Sequence, residues 1–324
     1  MSRNGSLVFR HAKVYTPHEV INDDYIVVRN DIIIDLGREP VKEEFGFREF
    51  NLKGYIVGPR FIDTHIHGIY GYDTMNGEPK SLIKIFKVLP KYGVTGFIPT
   101  TVSALHDLIL KVLRAYHSAA ESQSQGIGTR FLSLHLEGPY VSPVKAGAQN
   151  KKYIRKPDVS ELSEYLKASN NQIREITIAL EVEKSLELIK YAVSRNMIVQ
   201  IGHTNDTYDQ AMLGMVASAS KATHLYNGMR KIHHEEPDVV IALLISLSTY
   251  LELITDFIHV MPGMIKFTID FAGIQGMVLI TDVISATGLP DGVYELGGLK
   301  IKIEKDISRL IETRGLAGST LTLL

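Results

Sequence analysis

Two hydrophobic rhythms divide the chain. Over roughly the first 50 residues, SLVFRHAKVYT and YIVVRNDIIIDLG are rich in β-branched and aromatic residues, and Arg29-Asn30-Asp31 interrupts the second as a hairpin turn would. This predicts a small β unit over residues 1–54. From Tyr55 onward, apolar runs alternate with longer segments of helical period, the pattern of βα units around a parallel sheet. The predicted strands are YIVGPRFID, VTGFIPTT, FLSLHLE, EITIALE, MIVQIGH, KATHLY, YLELITD and MVLITD. Between them SLIKIFKVLPKYG, HDLILKVLRAYHSAAES, VSELSEYLKAS, KSLELIKYAVSRN, TYDQAMLGMVASA, PDVVIALLIS and PGMIKFTIDFAG read as helices. Eight strands with intervening helices match a (β/α)8 TIM-type barrel over residues 55–324. An open doubly wound sheet is the rival, but no GxGxxG turn follows the first strand. LPDGVYELGGLKIKIEK predicts a β-hairpin excursion near residues 290–314, and RGLAGSTLTLL reads as a helix start capped by Ser319 or Thr320.

Composition narrows the chemistry. With 35 Lys+Arg against 36 Asp+Glu, the net charge of −1 leaves no electrostatic footprint for nucleic acid or an anionic membrane. No apolar run reaches the ~18 residues of a spanning helix, and MSRNGSLVFRH has no long apolar leader segment; the expectation is a soluble, cytoplasmic protein. The chain has no cysteine, which removes disulfides, thiolate catalysis and Cys-ligated metals. It has 12 histidines, so a metal site here must use imidazole and carboxylate.

A barrel carries its chemistry at the C-terminal ends of its strands. Those ends hold His65 and His67, Glu137, His203, His224, Asp256 with His259, and Asp282. His65 and His67 are two apart, so on a strand they share a face and can grip one ion. Glu137 brings two oxygens, enough to complete one metal or bridge two. Each residue alone has a plainer reading, as a hydrogen-bonded core histidine or a loop cap. Their assembly on one rim favours a metal site. His233, His234 and the run KKYIRK read as solvated loop residues.

GPRFIDTHIHG, HLEGPYVSPVKAGAQN, IGHT, THLYNGM, LITDVISATGLPDG and GLAGST together resemble the N-acetylglucosamine-6-phosphate deacetylases of the amidohydrolase superfamily. The resemblance runs from about Val57 to the C-terminus. It implies a metal-dependent barrel beside a small β-sandwich built from both chain ends. Glu137, His203 and His224 would then hold a principal divalent metal, and His65 and His67 a second one, with Zn, Fe, Co, Ni and Mn all suited to these donors. Asp282 would be the catalytic acid/base. Asn227, Gly228 and His259, with Ala148 and Gln149, would bind the substrate, a 6-phosphorylated N-acetyl amino sugar, in a homodimer. The implied reaction is hydrolysis of the acetamide to acetate and the amino sugar phosphate.

Three departures stand against the family pattern. Gln149 occupies a position where K-x-G-x-H-N places a histidine. Glu235 replaces the arginine of R-E-P that reaches the phosphate on a neighbouring subunit. The family also continues past LAGST with a helix and returning strands, whereas Leu324 is the last residue here; a barrel lacking that helix and those strands is the expectation. Two other readings stay open: a cyclic-amide hydrolase of the same superfamily, and a sugar-binding or regulatory relic without turnover.

Overall fold

A computed structural model describes residues 6–16, 18–30, 32–37, 47–125 and 128–323. The chain divides into two compact units, Met1–Arg60 and Phe61–Leu324. The described residues of the first form a five-stranded sheet of β1 (Ser6–Tyr15), β2 (Val20–Arg29), β3 (Ile32–Gly37), β4 (Phe47–Asn51) and β5 (Ile56–Val57), in the order β3-β2-β1-β4 with β5 also on β1. β2 runs antiparallel to β1 and β3, while β4 and β5 run parallel to β1. Ala12, Val14, Ile21 and Ile26 form its core, the first two on alternate positions of β1 as the two-residue period requires. Asn30 has the positive φ of 50° expected of the hairpin turn, and Asp31 lies outside the described residues. The predicted strand YIVGPRFID is in fact two: Ile56–Val57 pair with β1, Gly58-Pro59 interrupt, and pairing resumes at Phe61.

The second unit begins with β6 (Phe61–Ile66). A small antiparallel ribbon, β7 (Gly68–Ile69) with β8 (Tyr72–Asp73), follows it, then β9 (Val94–Pro99) and β10 (Arg130–Phe131). β11 (Leu134–Glu137), β12 (Ile173–Ile178), β13 (Ile198–Ile201), β14 (Lys221–Ala222), β15 (Tyr250–Ile254) and β16 (Met277–Ile280) complete the parallel strands. They form two ladders, β10-β9-β6 and β11 through β16 in chain order, every pair parallel. Thr100 bridges His135 at one junction and Ile66 bridges Val283 at the other. At the second junction Asp63 accepts from the Thr281 hydroxyl at 2.5 Å, and the Asp282 N–H donates to the His65 carbonyl at 3.0 Å. The result is an α/β fold with a curled parallel sheet.

Among the described residues, seven α-helices connect these strands: α1 (Pro79–Val88), α2 (His106–Glu121), α3 (Val159–Ala168), α4 (Ser185–Ser194), α5 (Tyr208–Val216), α6 (Val239–Ile245) and α7 (Pro262–Ala272). Their inner faces follow the helical period, as α2 does with Ile109, Val112, Leu113, Tyr116 and Ala119 all buried. Thr207 and Gln210 form a reciprocal capping box at the start of α5, and Asp238 caps α6. KATHLY is strand only at Lys221–Ala222, because His224 and Tyr226 take left-handed φ values of 30° and 76° and turn the chain outward.

After β16 the predicted hairpin is a three-stranded antiparallel meander, β17 (Gly292–Leu296), β18 (Leu299–Glu304) and β19 (Ile307–Leu310), with a core of its own around Leu296, Ile301 and Ile303. The segment from Leu316 to Leu323 is not the helix that its capping residues predicted. Gly318 takes φ 58° with no room for a Cβ beside Ile284, and Ser319 bridges Val283 in parallel while its N–H donates to the Asp282 carbonyl at 2.7 Å. Ser319 thereby fastens the end of β16. Leu279 on that strand is 53% exposed, whereas Leu251 and Leu253 of β15 are buried. Among the described residues, no helix is long and apolar enough to cross a membrane.

Candidate metal centre and adjoining cavity

The strand ends bring six donors together. Glu137 Oε1 lies 3.1 Å from His224 Nε2, 3.2 Å from His203 Nε2 and 3.6 Å from His65 Nε2. Its Oε2 lies 3.4 Å from His67 Nε2, and Asp282 Oδ1 stands 3.2 Å from the same nitrogen. All six side chains are buried. Two overlapping trios, His65–Glu137–His224 and His65–His67–Asp282, each place their ligand atoms within 4.8 Å of one another.

Local backbone geometry aims these groups. His203, His224 and Asp282 all take left-handed φ values, 45°, 30° and 55°, at the points where their strands end. For side-chain-bearing residues such a conformation costs on the order of 1–3 kcal/mol and persists only where surrounding structure enforces it. Gly147 and Gly228, both at positive φ, flank the His203 ring: a Cβ on Gly228 would sit 2.8 Å from Nδ1, and one on Gly147 3.1 Å from Cε1. Only a residue without a side chain fits that closely at Gly228.

Tautomer assignment follows from what faces each Nδ1. His65 Nδ1 meets the Glu252 carboxylate at 3.1 Å, His203 Nδ1 the Lys145 carbonyl at 2.9 Å, and His224 Nδ1 the Asn227 carbonyl at 3.1 Å. Carbonyls and carboxylates only accept, so each Nδ1 carries the hydrogen. Yet the facing nitrogens crowd together, with His203 Nε2 3.2 Å from His224 Nε2 and His65 Nε2 3.3 Å from His67 Nε2. Outward-donating histidines whose remaining lone pairs converge beside carboxylates could hold a cation.

The electrostatics agree. Burial opposes charge on His65 and His67, but neighbouring carboxylates outweigh it: Glu137 and Glu252 hold His65 well above the usual imidazole range, and Asp282 and Glu137 raise His67 to about 9. Burial would raise Glu137 and Asp282, and the surrounding histidines instead hold both below the usual carboxylate range. A field that draws protons onto buried imidazoles also draws a divalent cation to their lone pairs. His135, against the His65 ring, is pushed the other way, chiefly by burial and then by His65, and is neutral.

A cavity of about 310 Å³ opens onto the donors. His67, Glu137, His203, His224 and Asp282 line it, and so do Ala148, Gln149, Asn227, Gly228 and His259. Asp256 orients His259, accepting from its Nδ1 at 2.6 Å and its backbone N–H at 2.8 Å. Gln149 accepts from the Ser103 N–H at 2.6 Å and donates to Glu137 Oε2 at 2.8 Å, so it steadies a donor as well as facing the cavity. Glu235 is not among the lining residues. It is 76% exposed, and Arg230 close by pairs with Glu236.

Some participants escape the sequence reading. Leu296, Leu316 and Gly318 line the cavity from the meander and the segment beyond it. Glu252 and Lys221 lie beneath the donors with Glu252 Oε1 2.7 Å from Lys221 Nζ. Their signal was available in principle: a charged residue between two leucines in YLELITD must find a partner if the strand is buried.

No family model matches the chain. Individual relatives do. It is 36% identical over 321 residues to the N-acetylglucosamine-6-phosphate deacetylase of Bacillus subtilis (strain 168), covering 98% of this chain and 80% of the relative. It is 33% identical to the N-acetylgalactosamine-6-phosphate deacetylase of Escherichia coli O157:H7, covering 98% and 81%. A variant of the N-acetyl-D-glucosamine-6-phosphate deacetylase of Mycobacterium smegmatis, solved with N-acetyl-D-glucosamine-6-phosphate, superposes with a TM-score of 0.89 at 29% identity, covering 98% of this chain and 81% of that one. With such identity over nearly its whole length, this chain belongs to the N-acetylglucosamine-6-phosphate deacetylase family.

Proposed function

We propose that this chain hydrolyses the acetamide of N-acetylglucosamine 6-phosphate, releasing acetate and the amino sugar phosphate. The observation that carries the reading is the set of six buried donors opening onto a cavity sized for one hexosamine. The two parallel ladders are read as arcs of one (β/α)8 barrel. The bridges at Thr100–His135 and Ile66–Val283 and the Asp63–Thr281 hydrogen bond support closure. In that fold, strand ends are where catalytic groups gather.

Glu137, His203 and His224 are assigned to a principal divalent metal. His65 and His67 are assigned to a second. The split of Glu137's oxygens, Oε1 toward His203 and His224 and Oε2 toward His67, supports a shared carboxylate. Imidazole with carboxylate and no thiolate suits Zn, Fe, Co, Ni or Mn. A cation bound there supplies Lewis acidity toward the acetamide carbonyl and lowers the pKa of water.

The protein's own groups do the rest. Asp282, at the cavity wall, is the base that takes a proton from the hydrolytic water at a carboxylate oxygen and the acid that returns it to the departing sugar nitrogen. Its contacts to His65 and His67 keep it ionised until that transfer. His259, fixed by Asp256, and the backbone at Asn227-Gly228 hold the phosphorylated end of the sugar. The His203 loop, Ala148 and Gln149 wall off the acetamide end. Glu235 lies outside this chain's own cavity; in a homodimer of the kind the family resemblance implies, it would face the phosphate bound by the second subunit.

Acetate release by purified protein, with and without the 6-phosphate, tests the activity. Asp282→Asn should retain metal while losing 10²–10⁴-fold in turnover. Acetate release at the wild-type rate by that variant would remove Asp282 from the mechanism. The second reading is the 4-epimer, N-acetylgalactosamine 6-phosphate. The relative named for that sugar, similar over nearly the whole chain, is the reason to include it in the assay.

A further inference from the structure

Beneath the donor centre lies a buried charged network to which the reaction assigns no role. Glu252, on β15, is fully buried. Its Oε2 accepts from His65 Nδ1 at 3.1 Å and from the His224 backbone N–H at 3.2 Å. Its Oε1 accepts from Lys221 Nζ at 2.7 Å and from the Thr64 hydroxyl at 3.4 Å. Lys221, on the neighbouring β14, also reaches Glu175 Oε2 at 2.9 Å and Thr64 Oγ1 at 3.3 Å. Gln200 donates to the same Glu175 oxygen at 2.5 Å. One carboxylate therefore touches the side chain of one donor, the main chain of a second, and a buried ammonium.

Carrying these charges into a barrel interior is costly unless each is matched and hydrogen-bonded, and removing one partner leaves the others uncompensated. Packing alone does not account for that cost, since buried ion pairs can often be replaced by well-packed apolar residues without loss of stability. What an apolar residue would not supply is an acceptor at His65 Nδ1. Without it that imidazole is free to adopt the other tautomer, which points an N–H at the centre instead of a lone pair.

We infer that Glu252 is a positioning residue: with its charge balanced by Lys221, it commits His65 to the tautomer whose Nε2 faces the metal, and through the His224 N–H it ties together donors from two strands. The inference rests on the metal reading above. An anionic acceptor behind a ligating imidazole makes the ligand more basic, and outer partners of this kind are worth about 10–100-fold in metal affinity. Glu175 is the internal comparison, because it shares Lys221 but touches neither His65 nor His224.

The experiment is cobalt(II) binding to metal-free protein, followed by competition with a chelator and by the visible absorption of the bound ion. The melting temperature of the metal-free form reports folding. Glu252→Gln keeps the shape but loses the charge, and it is expected to weaken cobalt binding 10- to 100-fold and to change the cobalt spectrum. Glu175→Gln should leave both at wild-type values. If Glu252→Gln does not fold, Glu252→Asp, which withdraws the carboxylate by one methylene, is expected to weaken binding in the same direction. Wild-type affinity and spectrum in the folded Glu252 variant would overturn the positioning role while leaving the metal reading intact. Equal losses in the Glu175 and Glu252 variants would also overturn it, showing only damage to the network. Absence of cobalt binding by wild-type protein would overturn the metal reading, and this inference with it.

Discussion

Asp206 offers a test of the electrostatics that is independent of catalysis. It lies on the loop between His203 and α5, fully buried, with Oδ2 accepting from the Leu180 N–H at 3.2 Å and Oδ1 unpartnered. Burial, and then the Glu181 carboxylate set against it, raise its pKa from 3.8 to about 7. Glu181 is itself held by the Thr204 hydroxyl and the Asn205 N–H, both at 2.7 Å. A proton on Asp206 lets one carboxyl donate to the other and relieves the repulsion.

The sign follows from proton counting. Between about pH 4 and pH 7 the folded protein holds a proton that the unfolded chain has released, so stability falls as pH rises through that window. Each pH unit is worth ~1.4 kcal/mol per proton, so the window from 3.8 to about 7 gives ~4 kcal/mol as an upper limit. Asp206→Asn places an amide N–H where the acid proton sits and cannot ionise. Denaturant unfolding of wild type and variant at pH 5, 6, 7 and 8 reads the difference, in which pH effects at the metal donors cancel. The variant should gain stability relative to wild type by ~1.4 kcal/mol per unit between pH 5 and about pH 7, and level off above that. A difference that does not change with pH would show that Asp206 is ionised in the folded state at pH 5, and would refute the reasoning.

Gly228→Ala should lower both metal affinity and turnover by tenfold or more without loss of cooperative unfolding, because its Cβ enters the space of His203 Nδ1 and the glycine's φ of 62° disfavours a side chain. Metal titration beside a melting curve checks it, and unchanged affinity would mean that the loop moves aside at no cost. For Glu235→Arg, the expected outcome is a higher kcat/KM for the phosphorylated sugar and no change for the unphosphorylated one, reading the partner-loop proposal directly. An equal change in both would place residue 235 away from the phosphate.

The candidate donors could be picked out because each ends an apolar run, where a polar residue has no packing reason to be. The fold brings the side chains of His65, His67, Glu137, His203, His224 and Asp282 together. The seven helices of the described residues were legible from their apolar period. What misled was local signal overridden by distant partners. Ser319 looks like a helix cap, yet its N–H and hydroxyl serve the end of β16, in contacts to Asp282 and Thr281 that lie far back in the chain. β5 was absorbed into the next strand because pairing with β1 is set by residues some 40 positions earlier, which a periodicity window does not see. Glu252 and Lys221 went unnoticed for the same reason. Their meaning is in a contact between strands, and neither residue is unusual until the other is known to face it.

The departure at residue 149 illustrates how position can matter more than residue type. Compared with the histidine of the family pattern, glutamine is a group that hydrogen-bonds without charge. In the fold, its carboxamide is engaged at both ends: the oxygen takes the Ser103 N–H and the nitrogen holds Glu137 Oε2. That second contact fixes the carboxylate oxygen that faces His67, while the other oxygen faces His203 and His224. An amide presents an acceptor and a donor at a fixed separation and at any pH, whereas an imidazole doing both must be neutral and in one tautomer. Beside carboxylates strong enough to raise His67 to about 9, a second histidine would be drawn toward protonation and would lose its acceptor toward Ser103. Glutamine thus keeps both contacts in a field where histidine would keep one.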